Sequence, residues 1–425
     1  MKNHHGKPTK NSGLKSVMRA VASMVVALAA VSLTHCASQS KSSATSATDK
    51  AESKTWAKGM RGMAESLQRL MPYVFSRDEF NDPNNRAAIH DRIANFAAGV
   101  AEVPKHAGEA MLGKDPLVQF SIARLTSNAH HAQQAFDEGH LEFSRTVLRE
   151  SMGLCFSCHS SQQFGPQDNF STSSLSPNFR IYPTERADYY VATRQFDKAV
   201  DLLEGVLKSP AQLLDDPHEQ VDSLRKYLSL EVRVKNDPNR AAGLLEKFLS
   251  QKDLPYFIAA DAEVWLKSLR DWQREKPSTT SALVRAQALT RKARNLQATG
   301  GYQSGYVDFL RVTSILHEGL RSAASLKDKS HYYEMLGQSY DTLSEMGTWD
   351  LPEVYFEACI RASPKSEESK RCYREFERAI VLGFSGSAGV FIPKEERERM
   401  NDLKALAGFS VSNDFAPAEK SPEKH

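Results

Sequence analysis

The chain has 425 residues, 40% of them apolar and 25% charged, a balance that supports a packed core and excludes a wholly disordered or collagen-like protein. The formal net charge of +3 sits in the N-terminus, where Lys2, Lys7, Lys10, Lys15 and Arg19 fall within residues 1–35 and no Asp or Glu accompanies them. Without those five charges the remainder carries −2, and a near-neutral body with no basic stripe argues against a nucleic-acid partner.

The N-terminal pattern is that of an export signal, assigned to residues 1–35. Its basic segment ends at Arg19, and Ala20 to Leu33 is an apolar run too short to span a bilayer comfortably, which takes about 20 residues. Leu33-Thr34-His35-Cys36 resembles the lipobox of bacterial lipoproteins, with His35 where that family has a small residue. The resemblance implies a lipid on Cys36 and a membrane as partner. Ordinary cleavage and an uncleaved anchor fit the same charge pattern. Residues 36–54, rich in Ser, Ala and Lys, read as a flexible tether. The expected location is the periplasm, at the outer membrane, because Ala37 and Ser38 follow Cys36 rather than Asp.

Residues 55–165 carry four apolar stripes of helical period. Met60, Met63, Leu67, Leu70 and Val74 form the first, from Thr55 to Phe75. Asp82-Pro83 opens the second, with Ile89, Ile93, Phe96, Val100 and Val103. Asp115-Pro116 opens the third as an N-cap followed by Pro at the first helical position, and Val118, Ile122, Leu125, Ala129, Ala132 and Phe136 follow. Gly139 breaks it. Leu141, Val147, Leu148 and Met152 make the fourth. Four such stripes joined by short loops predict an up-down-up-down four-helix bundle.

The fourth stripe runs into Cys155-Phe156-Ser157-Cys158-His159, a C-x-x-C-H motif and the attachment signature of c-type haem. Two thiols three residues apart on one helical turn match the two vinyl groups of a haem, and the adjoining imidazole reaches its iron. A zinc site would need a second ligand pair at similar spacing, and a thioredoxin-like pair would need a βαβ context; the sequence offers neither. One covalent haem c is the expected cofactor.

Ala135-Phe136-Asp137-Glu138-Gly139, then Arg145, Leu148 and Met152, then Cys155 to His159, together resemble the closing segment of class II c-type cytochromes, the cytochrome c′ group. The resemblance covers roughly residues 55–165. It implies that Cys155 and Cys158 carry the haem and that His159 is the proximal ligand. Met-ligated relatives take their Met from the first helix, which points to Met60 or Met63 on the distal side. Core packing suits both equally, an open five-coordinate iron is the rival, and His106 and Met111 lie at the same end of the bundle. His130 and His131 sit about 20 Å up the bundle at ~1.5 Å per residue.

Residues 166–183 read as a linker, residues 184–407 as helical, and 408–425 as a frayed polar tail. Phe196-Asp-Lys-Ala199-Val-Asp-Leu202-Leu203-Glu204 recurs 42 residues later as Pro238-Asn-Arg-Ala241-Ala-Gly-Leu244-Leu245-Glu246. With Tyr190 upstream, and Leu336-Gly337 and Tyr340 further on, this resembles a tetratricopeptide-like α-solenoid, whose helix pairs stack on one another. Cys359 and Cys372 flank a Pro-containing turn between two helical patterns, open to a disulfide or to two buried thiols. Gly383 to Gly389 lacks the Lys of a phosphate loop and reads as a plain turn.

The expected fold is all-α, the bundle with its terminal haem motif followed by the solenoid, each closing its own core. The expected function is an exported monohaem cytochrome that carries single electrons and docks a redox or envelope protein through its repeats. The alternatives are a haem-based gas binder or sensor and an envelope scaffold with a structural haem. No distal acid–base pair is evident, so a carrier or binding protein is favoured over an enzyme.

Overall fold

The computed structural model describes residues 47–106, 115–161, 181–208, 216–252, 254–321, 326–343, 348–387 and 389–410. The signal segment, Cys36, most of the tether, Met111, most of the linker and most of the tail lie outside the described residues. Among the described residues the fold is all-α, relieved by one two-residue antiparallel pairing of Ser385–Gly386 with Gly389–Val390 at the glycine-rich turn. No described helix is long and apolar enough to cross a membrane.

Helix α1 (Ala47–Val74) buries Met63, Leu67, Leu70 and Val74, so the 3-4 stripe faces the core. A five-residue helix, α2 (Arg77–Asn81), follows under a Ser76 cap that accepts from the Glu79 N–H. Too short to show a period, it contributes Phe80 to the core. Asp82 caps a 3₁₀ turn, Pro83–Asn85, which leads into α3 (Arg86–His106). α4 (Pro116–Asp137) starts on the Asp115 cap with Pro at its first position. Gly139 turns the chain at φ +85°, which costs a side-chain-bearing residue, and α5 (Leu141–Ser161) follows.

Eleven further helices complete the described fold: α6 (Pro183–Ala192), α7 (Phe196–Lys208), α8 (Pro217–Ser229), α9 (Pro238–Leu249), α10 (Tyr256–Gln273), α11 (Ala282–Thr299), α12 (Tyr306–Arg321), α13 (Leu326–Leu343), α14 (Leu351–Ala362), α15 (Glu367–Gly383) and α16 (Lys394–Ala407). A π-helical turn, Leu230–Lys235, extends α8. Asp216-Pro217 and Asp237-Pro238 repeat the Asp-cap and Pro start of α4. Chain neighbours pack on one another: α6 on α7, α9 on α10, α11 on α12, α13 on α14 and α14 on α15. Ala199 and Leu203 of α7 and their counterparts Ala241 and Leu245 of α9 are all fully buried. At Gly337 of α13 an added Cβ would lie 2.5 Å from the Phe356 ring, so glycine permits the close approach of α14. Cys359 and Cys372 join α14 to α15 in a disulfide, their Cα atoms 6.3 Å apart.

Glu52–His425 forms one compact unit with a continuous apolar core to which α5 is central. From Ser151 to Cys158 every residue is buried, and a helix buried all round needs partners on more than one side. α4 packs on one flank of α5; α6, the π turn and α12 pack elsewhere on it, while α14 also touches α4.

Candidate functional site

The last turns of α5 bring Cys155, Cys158 and His159 to a single cavity of about 30 Å³. α1 supplies Trp56, Met60 and Met63 to its wall, α3 supplies Val100 and Val103, and α4 supplies Val118, Ser121, Ile122 and Leu125. Apart from the Ser121 hydroxyl, the residues facing the two thiols and the imidazole are apolar.

Both cysteines are free and buried. Burial pushes the Cys155 thiol up to about 12, with the nearby Asp188 carboxylate adding to it. Burial likewise pushes Cys158 up to about 12, reinforced by Cys155 and Asp115. Both are therefore protonated at neutral pH. The Cys155 thiol donates to the Ser151 carbonyl at 3.6 Å.

His159 Nδ1 lies 3.0 Å from the Val191 carbonyl at the end of α6. A carbonyl only accepts, so Nδ1 carries the proton and Nε2 keeps its lone pair. Burial, then the Arg194 guanidinium, push the ring down to about 4 against the Val191 bond, so the imidazole is neutral at pH 7.

Two polar groups, the first part-buried at Arg149 and Glu185, hold α5 and α4 against the later helices. In the first, Arg149 of α5 bonds Glu185 of α6 through Nε at 2.6 Å, and Asp188 pairs with Lys226 of α8 at 2.5 Å. The Lys226 ammonium also lies 5.5 Å above the Phe156 ring of α5. In the second, Asp115 accepts from Tyr355 OH at 2.7 Å and from His317 Nδ1 at 2.5 Å. His317 Nε2 is 2.7 Å from Tyr340 OH, which in turn is 3.0 Å from Ser161 Oγ at the end of α5.

Of the residues singled out from the sequence, Cys155, Cys158, His159, Met60 and Met63 meet at the cavity. His106 ends α3, and its side chain lies outside the described residues. His130 and His131 are exposed on α4 and do not line the cavity. Trp56 was missed, although it precedes Met60 by four residues and Met63 by seven on the same helical stripe. Val191, Arg194 and the Asp115–His317 pair carry no sequence signal, because each partner lies far along the chain.

Among the described residues no three His, Cys, Asp or Glu side chains converge to hold an ion on their own. The donor set at the cavity is instead two thiols, one neutral imidazole and two thioethers in an apolar wall. Compared with known proteins, the chain matches no family model, no curated protein and no solved structure.

Proposed function

We propose that the chain is an exported, lipid-anchored monohaem c-type cytochrome that carries single electrons. On this reading residues 55–165 form a cytochrome c′-like four-helix bundle, and residues 184–407 a tetratricopeptide-like solenoid that docks a redox or envelope partner. The observation that carries it is the convergence of both C-x-x-C-H thiols and the following imidazole on one apolar cavity.

The residues present fit a haem. Cys155 and Cys158 would hold it through thioethers, and His159, neutral with Nε2 unprotonated, has the state an iron ligand requires. Met60 and Met63 offer thioether sulfurs from α1. A covalently bound haem supplies a one-electron Fe(III)/Fe(II) couple whose potential depends on axial ligand, burial and neighbouring dipoles. The chain's own part is to orient and to exclude water. The Val191 carbonyl fixes the imidazole tautomer and strengthens its donor character, as an outer-shell partner does for a ligating histidine. The valine and leucine wall keeps the site dry. A redox-active dithiol reading is disfavoured by the same burial, since thiols pushed up to about 12 present almost no thiolate at neutral pH.

The test is expression with haem-c maturation machinery, followed by acid-acetone extraction and optical spectra with and without carbon monoxide. Haem that stays with the protein supports the reading, and its complete extraction overturns it. A reduced spectrum indifferent to carbon monoxide assigns a sixth ligand, and Met60→Ala and Met63→Ala then tell which thioether it is. Cys158→Ala should weaken attachment, while His159→Ala should cost iron ligation more than folding.

A further inference from the structure

We propose that Tyr340 is a redox-active tyrosine, a buried phenol that gives up one electron while its proton passes to His317. The site is built from this chain's side chains alone, so the inference stands apart from the haem reading.

Asp115, His317, Tyr340 and Ser161 come from four elements: the cap of α4, α12, α13 and the end of α5. None is more than 4% exposed. What each atom can do sets the direction of their bonds. A carboxylate only accepts, so His317 Nδ1, 2.5 Å from Asp115 Oδ2, carries a proton. Nε2 then keeps its lone pair, and the Tyr340 hydroxyl at 2.7 Å donates to it. Ser161 Oγ, 3.0 Å from the same hydroxyl, is left to donate to the phenol oxygen.

A phenol that has lost an electron is a strong acid, so a buried tyrosine is oxidised where a base receives its proton. Such transfer needs heavy atoms within about 2.6–3.2 Å, and the Tyr340–His317 pair meets that. Charge decides the rest. The phenoxyl left behind is neutral, and the new imidazolium stands against the Asp115 carboxylate, which the Leu117 N–H and the Tyr355 hydroxyl also hold. The Arg233 guanidinium lies 5.6 Å above the Tyr340 ring. A cation there opposes positive charge on the ring, so electron and proton leave together. Tyr355 stacks parallel to Tyr340 at 5.5 Å, but its own hydroxyl meets a carboxylate, a weaker base than imidazole. The radical therefore settles on Tyr340.

The oxidant is an outer-sphere one-electron metal complex of the strength of tris(bipyridyl)ruthenium(III), which is reduced to ruthenium(II). The Tyr340 O–H bond breaks, an N–H bond forms at His317 Nε2, and no other bond changes. Ser161 lies two residues beyond His159 on α5, so the phenol is hydrogen-bonded to the helix that carries the C-x-x-C-H motif.

The experiment is flash oxidation of full-length protein, pretreated with ferricyanide and desalted, by tris(bipyridyl)ruthenium(II) and persulfate, with freeze-trapping for electron paramagnetic resonance. Exposed tyrosines such as Tyr256 also meet the oxidant but release their proton to water. The Tyr340 radical is told apart by electron–nuclear double resonance, as a phenoxyl coupled to an exchangeable proton on a histidine nitrogen. That signal is expected in wild type and in Tyr355→Phe, and it should vanish in Tyr340→Phe. Gln keeps a hydrogen bond but is no base, so His317→Gln should lower the yield at least about tenfold. Circular dichroism checks that each variant is folded. No such signal in wild type overturns the proposal, and so does one that survives Tyr340→Phe or persists at full yield in His317→Gln. Should either variant fail to fold, wild type grown with isotopically labelled histidine is read instead: a labelled nitrogen coupled to the phenoxyl is expected, and its absence overturns the proposal.

Discussion

Replacing Asp115 by Ala should destabilise the whole protein by about 5 kcal/mol. The carboxylate is 3% exposed and does three jobs. It caps α4 through the Leu117 N–H at 3.1 Å, it accepts from Tyr355 OH at 2.7 Å, and it accepts from His317 Nδ1 at 2.5 Å. Loss of an N-cap costs about 1 kcal/mol. Tyr355 and His317 are fully buried, and each would lose its carboxylate acceptor at about 1–3 kcal/mol. The sum, roughly 3–7 kcal/mol, is a large part of the 5–15 kcal/mol that holds an ordinary domain folded. Asp115→Asn keeps an acceptor for the cap or the tyrosine and should cost less than half as much. The assay is urea unfolding of apoprotein with its disulfide intact, followed by tryptophan fluorescence and far-UV circular dichroism. A double-mutant cycle with His317→Leu should show coupling of at least about 1 kcal/mol, because both changes break one bond. The two probes should report coincident transitions, since α4 and α5 share a core with the later helices. A cost below about 1 kcal/mol, additivity with His317→Leu, or two separated transitions would refute the reasoning.

Three other outcomes follow from features already described. Cys359→Ser with Cys372→Ser opens a loop set by a sequence separation of 13 and should cost about 3 kcal/mol, read as a lower urea midpoint; equal midpoints for the oxidised and serine forms would contradict it. Burial pushes the Glu231 carboxyl up to about 7, so the folded state holds its proton between pH 4.5 and 7 while the unfolded state releases it. Stability should therefore fall across that window by no more than about 3 kcal/mol, and Glu231→Gln should flatten the fall, which a urea series at pH 4.5, 6 and 8 would detect. Cys36→Ala should abolish metabolic acyl labelling; labelling that survives the substitution, or that never appears on wild type, would remove the lipid anchor from the proposed function.

Much of this architecture is legible in the sequence wherever a local rule suffices. The Asp-Pro pair at 115–116 fixes the start of α4 because a cap and a Pro at the first helical position need nothing from elsewhere in the chain. The stripe carrying Met60 and Met63 fixes which face of α1 meets the cavity, and the C-x-x-C-H spacing fixes that both thiols leave α5 on one side. The repeat at an offset of 42 places Ala199 with Ala241 and Leu203 with Leu245 because both copies bury the same face. What escapes the sequence is what covers a face. Ser151, Gly153, Ser157 and Ser160 interrupt the apolar period of α5, yet all four are buried in a helix on which α4, α6 and α12 pack. The bond between His317 and Asp115 spans 202 residues, and that between His159 and Val191 spans 32; periodicity has no means of pairing them. α2 is too short to express a period at all.

The burial of α5 on all sides also orders events in time. Cys155 and Cys158 end up protonated and buried, and α6 closes over the same helix through Arg149–Glu185 and the Val191 carbonyl. Those sulfurs face a cavity of about 30 Å³ walled by α1, α3 and α4, so a group joined to them has to be in place before these helices close on α5. On the proposed haem reading, folded protein without haem should take it up only as fast as α5 parts from α1, α3 and α4.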